Sequence, residues 1–262
     1  MRRLLVGSLV LLLVTVTGGA AVADPIPIGY TCTGNCGTLA ANGVVTAPPS
    51  GASSYLYVST YLGVTGGGQL PGVTGSNGST LTTPVFTSDA GDVLQYNFNY
   101  VTSDGSSYAD YAWAALFDSS DAQVALLLTA RTEPSGSIIP GQDLPATSAG
   151  VTLSPSSVPI IPGGPVWSPL GPSSGTCFAS GCGYTGWVLS SYTIQAGGSY
   201  YLQFGTSNWA DTLYDSGLAI DGITIDGEPI GPPPDAVPDP ASSLLLMSLG
   251  LIALRVVKRR LG

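Results

Sequence analysis

The chain has no histidine among its 262 residues. That removes a Ser-His-Asp triad, a His-paired cysteine nucleophile and the usual catalytic zinc site. Basic residues are scarce as well. Six of the seven sit at the two ends: Arg2, Arg3, Arg255, Lys258, Arg259 and Arg260. Between Asp24 and Asp239 only Arg131 remains, beside all sixteen acidic side chains, so this body carries a net charge of about −15. Without lysine it can form neither a Ser-Lys dyad nor a Schiff base. A body this acidic repels phosphate backbones, which argues against nucleic acid as a partner.

What is present begins with the ends. Arg2 and Arg3 precede an apolar stretch from Leu4 to Val16, and Ala21-Val22-Ala23 supplies a small-x-small cleavage site. Residues 1–23 therefore read as a secretory signal helix for the Sec translocon, cleaved before Asp24. At the other end, residues 241–257 form an apolar run interrupted by Arg255, at the lower length limit for a membrane span. Arg255 can snorkel to the interface, and Arg255, Lys258, Arg259 and Arg260 form a basic stop expected to stay cytoplasmic. The Pro-rich segment 231–240 is a stiff spacer between this helix and the body.

Taken together, Val237-Pro238-Asp239-Pro240-Ala241-Ser242, the short apolar helix and the basic end resemble the PEP-CTERM sorting signal. Aspartate stands where that family's tripeptide usually has glutamate. Related tails also carry the label of an ice-binding protein C-terminal domain, which describes the tail alone. The resemblance implies an exosortase-like transpeptidase as partner, cleavage near Pro240, and release to the cell surface or medium after transient anchoring in the inner membrane of a Gram-negative bacterium.

The body, residues 24–230, shows period-two alternation and almost no helical period. In "SSYLYVSTYL" Leu56, Val58 and Leu62 point one way, and Tyr55, Tyr57 and Tyr61 the other. In "DVLQYNFNYV" Leu94, Tyr96, Phe98 and Tyr100 share a face. Further alternating runs, separated by Gly, Ser, Asn and Asp, bring the count to seven or more strands. The pattern predicts an all-β fold, a single β-sandwich of jelly-roll type. Residues 132–176, with nine prolines, read as a long excursion over one end or face, with a short strand near Gly150–Leu153. The stretches "AGDVLQYNFNY", "GYTGW" and "YDSGLAID" are also similar to β-sandwich bodies of PEP-CTERM proteins, which supports the fold and implies no activity.

Four cysteines in an exported chain imply two disulfides. Of three possible pairings the local one, Cys32–Cys36 with Cys177–Cys182, is favoured; a four-thiolate zinc site is the rival. The remaining chemistry is carboxylate and aromatic. Asp215-Ser216-Gly217 matches the aspartic-protease tripeptide, but a second copy is lacking. A secreted carboxylate-dependent glycoside hydrolase needs only two facing carboxylates, yet no pair is marked, and the chain reads as a non-enzyme. Calcium is the candidate cofactor, since Asp104, Asp110, Asp211, Asp215 and Asp221 sit in or beside turns and calcium takes six to eight oxygens. Leu218 and Ile220 share one parity, Ile223 and Ile225 the other, so a bulge at Asp221-Gly222 would re-aim a carboxylate toward Asp211 and Asp215. Aspartates that satisfy their own turns are the competing reading. Tyr55, Tyr57 and Tyr61 form a stripe suited to stacking on sugar rings, or else to covering a sheet, with Trp113, Trp167, Trp187 and Trp209 as alternatives. The resulting expectation is an exported protein with a structural or adhesive role in an extracellular polysaccharide matrix.

Overall fold

The computed structural model describes residues 25–231, except 107, 109 and 134. The expected signal helix, sorting motif, apolar helix and basic stop lie outside those residues. Among the described residues no helix is long and apolar enough to cross a membrane; the one helical element is a short 3-10 segment, Ser168–Ser173.

Nine principal strands carry the fold: β1 (Asn35–Leu39), β2 (Tyr55–Ser59), β3 (Asn77–Thr82), β4 (Val93–Thr102), β5 (Tyr111–Asp118), β6 (Gln123–Arg131), β7 (Val188–Thr193), β8 (Gly198–Ser207) and β9 (Ser216–Ile225). They form two antiparallel sheets, ordered β7-β4-β9-β2-β1 and β3-β8-β5-β6. Short strands extend the edges; Thr152–Ser154, close to the strand expected near Gly150–Leu153, pairs with β7. The two sheets make a β-sandwich, as the alternation predicts.

Alternation decides which side chains meet between the sheets. Leu56 and Val58 from β2, Phe98 from β4, Leu127 from β6, Phe204 from β8 and Ile220 from β9 all belong to one buried cluster. Tyr96 packs edge-on against Phe204, their ring centres 5.3 Å apart, which ties the sheets together.

The outer faces are not left to solvent. Along β4 burial alternates from Val93 to Phe98, then becomes continuous from Asn99 to Thr102; β8 changes in the same way toward Ser207. Both strands run toward the same end, where extra layers cover them. One is built from Val45, Trp167 and Leu170 over Tyr55, Tyr57, Val101 and Ala219. The other places Leu70, with Val73 and Leu144 beside it, over Tyr111 and Trp113. Residues 132–176 thus do more than cross a face: they roof one. Gly217 permits the close approach, because a Cβ there would sit 2.6 Å from the Trp167 ring.

The register of β9 shifts between Asp221 and Thr224, with Gly222 at φ +61°. This is the bulge that the parity change predicts.

Candidate functional site

Both disulfides form the local pairs, Cys32–Cys36 and Cys177–Cys182, and no described cysteine is free. The zinc alternative is thereby removed.

The tyrosine stripe is not a sugar platform. Tyr55 is 0% and Tyr57 5% exposed. Trp167 Nε1 donates to the Tyr55 hydroxyl at 2.9 Å, and the Trp167 and Tyr57 rings meet edge-on. Tyr61 lies against Gly171 and keeps partial exposure beside a cleft of about 210 Å3 lined by Asn35, Leu62 and Ser168. Alternation can define a face without revealing what covers it. The chain's own excursion covers this one.

The three aspartates expected to share calcium are not brought together. Asp215 and Asp221 stand six residue steps apart, about 20 Å along β9. Asp221 is instead a clasp: its carboxylate accepts from Ser50 N at 2.8 Å and Ser50 Oγ at 2.6 Å. Asp215 accepts from Thr60 Oγ1 at 3.1 Å and Ser173 Oγ at 3.0 Å. Burial pushes its carboxyl above the usual range despite those donors. Among the described residues, no group of three or more His, Cys, Asp or Glu side chains is placed to hold a metal.

A different acidic pair forms where the loops after β4 and β8 meet. Asp104 and Asp110 are each 2% exposed. Asp110 feels the charge of Asp104 and of Asp215, and Asp104 that of Asp211. Asp110 accepts from Ser216 Oγ at 2.7 Å and from the Trp209 amide at 3.2 Å. Asp104 Oδ1 accepts from the Gly105 amide at 2.7 Å, whereas Oδ2 is buried with no partner. Burial, with the neighbouring charge, pushes Asp104 up to about 7 and Asp110 well above its ordinary value.

Over this pair stands a crest of rings. Phe178, inside the Cys177–Cys182 loop, meets Tyr108 edge-on at 5.4 Å and Tyr214 at 5.0 Å. Trp209 lies at the same end under the Arg131 guanidinium, 4.2 Å from its centroid. Phe178, Tyr108 and Trp209 are each about two-fifths exposed, and Leu213 more so. The loops are laced by backbone bonds, Phe178 N to Ser103 O and Ser106 N to Ser180 O. The sequence offers Trp209 as a candidate but gives no signal for Tyr108, Phe178 and Tyr214, since loop rings follow no period. Trp113 and Trp167 are buried, and Trp187 is half-buried with its indole N–H on Thr46 O.

At the opposite end Ser50, Asp221, Ile223, Thr224 and Ile230 line a cleft of about 430 Å3. Its one carboxylate is already clasped by Ser50.

No protein-family model matches the chain, and no curated protein matches it. Solved structures give distant likenesses. The K3 cleaved adhesin domain of Lys-gingipain from Porphyromonas gingivalis W83 aligns at TM-score 0.36 and 13% identity, over 79% of this chain and 98% of that one. The K1 adhesin domain of the same protein aligns at 0.33 and 12%, over 79% and 98%. The enzymatically active domain of tailspike protein 4 from bacteriophage CBA120 aligns at 0.33 and 12%, over 76% of this chain and 19% of that one. Scores this low carry neither fold nor function across.

Proposed function

We propose that this is an exported protein with a structural or adhesive role in an extracellular polysaccharide matrix, and that the ring crest of Tyr108, Phe178, Trp209 and Tyr214 makes the contact. The observation that carries the reading is that crest. Exposed rings are held in one place by a disulfide and laced loops, where stacking on a pyranose face costs little ordering. Two disulfides suit an oxidising compartment. The signal and sorting segments at the chain ends remain part of the proposal: export through Sec, trimming near Pro240 by an exosortase-like enzyme, and display or release. The order of β2 to β9, which changes sheets at every step except β5 to β6, supports a jelly-roll reading of the sandwich.

A glycoside hydrolase gains nothing from the acidic pair. Glycosidase carboxyls stand about 5–9.5 Å apart across an open sugar site, whereas Asp104 and Asp110 are both closed off from solvent. The test is retention of the protein on the native exopolysaccharide while new reducing ends are assayed. Retention should be weak, should drop severalfold in Phe178→Ala and Trp209→Ala, and should release no reducing ends. Retention unchanged in both variants, or release of reducing ends, overturns the reading.

A further inference from the structure

Two buried carboxyls that face each other cannot both ionise unless a cation or a proton lies between them. Here the geometry is specific. Asp104 and Asp110 flank Tyr108, and Asp110 is fastened to the Trp209 amide and to Ser216 Oγ. Asp104 Oδ2 is a buried acceptor with nothing to accept. A second buried acceptor without a partner, Asn208 Oδ1, belongs to the residue just before that Trp209 amide. Unfilled acceptors are oxygens, and no donor has been provided for them. Buried polar groups are otherwise paired almost everywhere in folded proteins. Carboxylate oxygens, with no nitrogen or sulfur among them, match a hard cation.

We propose that the loop end binds one divalent cation of calcium's kind between the carboxylates of Asp104 and Asp110. Two carboxylates rather than three suit an ion that fills its shell with carbonyl and water oxygens. Asp211, half-exposed nearby, adds negative field and leaves a way in for water. The ion would pin both ends of the loop that carries Tyr108 and, through the bond of the Trp209 amide to Asp110, set the spacing of the crest. Of the five turn aspartates that suggest calcium in the sequence, the site uses Asp104 and Asp110; Asp221 is clasped by Ser50, and Asp215 is held by hydroxyls. This inference rests on the carboxyl pair and stands apart from the polysaccharide reading.

The test uses the full chain, stripped with a chelator and then melted in calcium, in magnesium and in sodium at matched ionic strength. At a hundredfold excess over its dissociation constant, calcium should raise the melting temperature by about 5–11 °C beyond sodium. Terbium in place of calcium should luminesce when the nearby rings are excited. Asp104→Asn and Asp110→Asn should each abolish both signals, yet in chelator melt no lower than the unaltered protein, because each relieves a buried repulsion. Phe178→Ala should keep the calcium shift even if it loses polysaccharide retention. A calcium shift no greater than sodium's, or one that survives both aspartate substitutions, overturns the proposal. Retention that persists while calcium fails leaves the functional reading intact; lost retention in Phe178→Ala with no calcium shift separates the two in the same way.

Discussion

The two ends of the sandwich use aspartate in opposite ways. At the end where β5 turns into β6, Asp118 faces solvent and accepts from the donors of its own turn. Asp92 does the same with Ser88 Oγ and the Asp89 amide, and Asp226 accepts from the Val93 amide. Each of these three carboxylates meets solvent and is satisfied by a nearby donor. At the other end Asp104 and Asp110 are dry, face each other and leave an oxygen empty. Layering accounts for the difference. Where only two sheets exist, turns stay in water; where Trp167, Leu170 and Leu70 add outer layers, the loops between strands are closed off as well. One residue type thus serves as a turn cap at one end and as a charge cluster at the other.

The largest effect should come from removing the roof. Trp167 is fully buried, bonds Tyr55 and presses on Gly217, and its segment leads to Ser173, whose hydroxyl reaches Asp215. Trp167→Ala should cost about 3–5 kcal/mol by cavity formation. Urea denaturation would measure it. If the roof also dries the acidic end, the same variant should weaken the calcium shift; an unchanged midpoint would show that the outer layer adds no stability.

Next comes pH, where the two ends should differ in sign. Asp104 is raised to about 7 in the fold, against about 3.9 when unfolded. The native state therefore holds the extra proton. Its contribution is fully present below the unfolded value and is lost as pH rises through about 7. Asp118 is lowered by its hydrogen bonds to Ser120 and Ala122, so its contribution is present above the unfolded value and is lost as pH falls through the folded one. In chelator, melting temperature should decline between about pH 4 and pH 7, and Asp104→Asn should flatten that decline. A decline of equal slope in the variant would remove Asp104 as its source.

How much of this was legible beforehand follows from the same contrast. Period two placed Leu56, Val58 and Phe98 in the core, and a change of parity located the bulge at Asp221-Gly222. Cysteine spacing indicated local bridges. These signals are local in sequence. The fate of Tyr55 and Tyr57 was not, because their cover comes from Trp167, more than a hundred residues on. The meeting of Asp104 and Asp110 with the Asp211 loop depends on β4, β5, β8 and β9 ending side by side, which no spacing announces. Asp221 was rightly singled out as a re-aimed carboxylate, but its partner proved to be Ser50, in a loop before β2.

The smallest effect belongs to Asp118, and it tests the solvated end alone. Its Oδ1 accepts from the Ser120 amide at 2.8 Å, Ser120 Oγ at 2.7 Å and the Ala122 amide at 3.1 Å. Those donors fix the turn that joins β5 to β6, where Asp121 takes a left-handed backbone, φ +64°. Water can replace a lost acceptor at an exposed turn, so Asp118→Ala should lower the melting temperature only slightly. Asp118→Asn keeps an oxygen for the turn and should fall between the two. The pH response is the sharper readout: the unaltered protein and Asp118→Ala should converge only as pH falls through the lowered folded value of Asp118, because the carboxylate is then protonated in both folded and unfolded chains. Calcium should move both equally. A calcium shift that disappears with Asp118 would place the cation at the solvated end and break the contrast between the two ends.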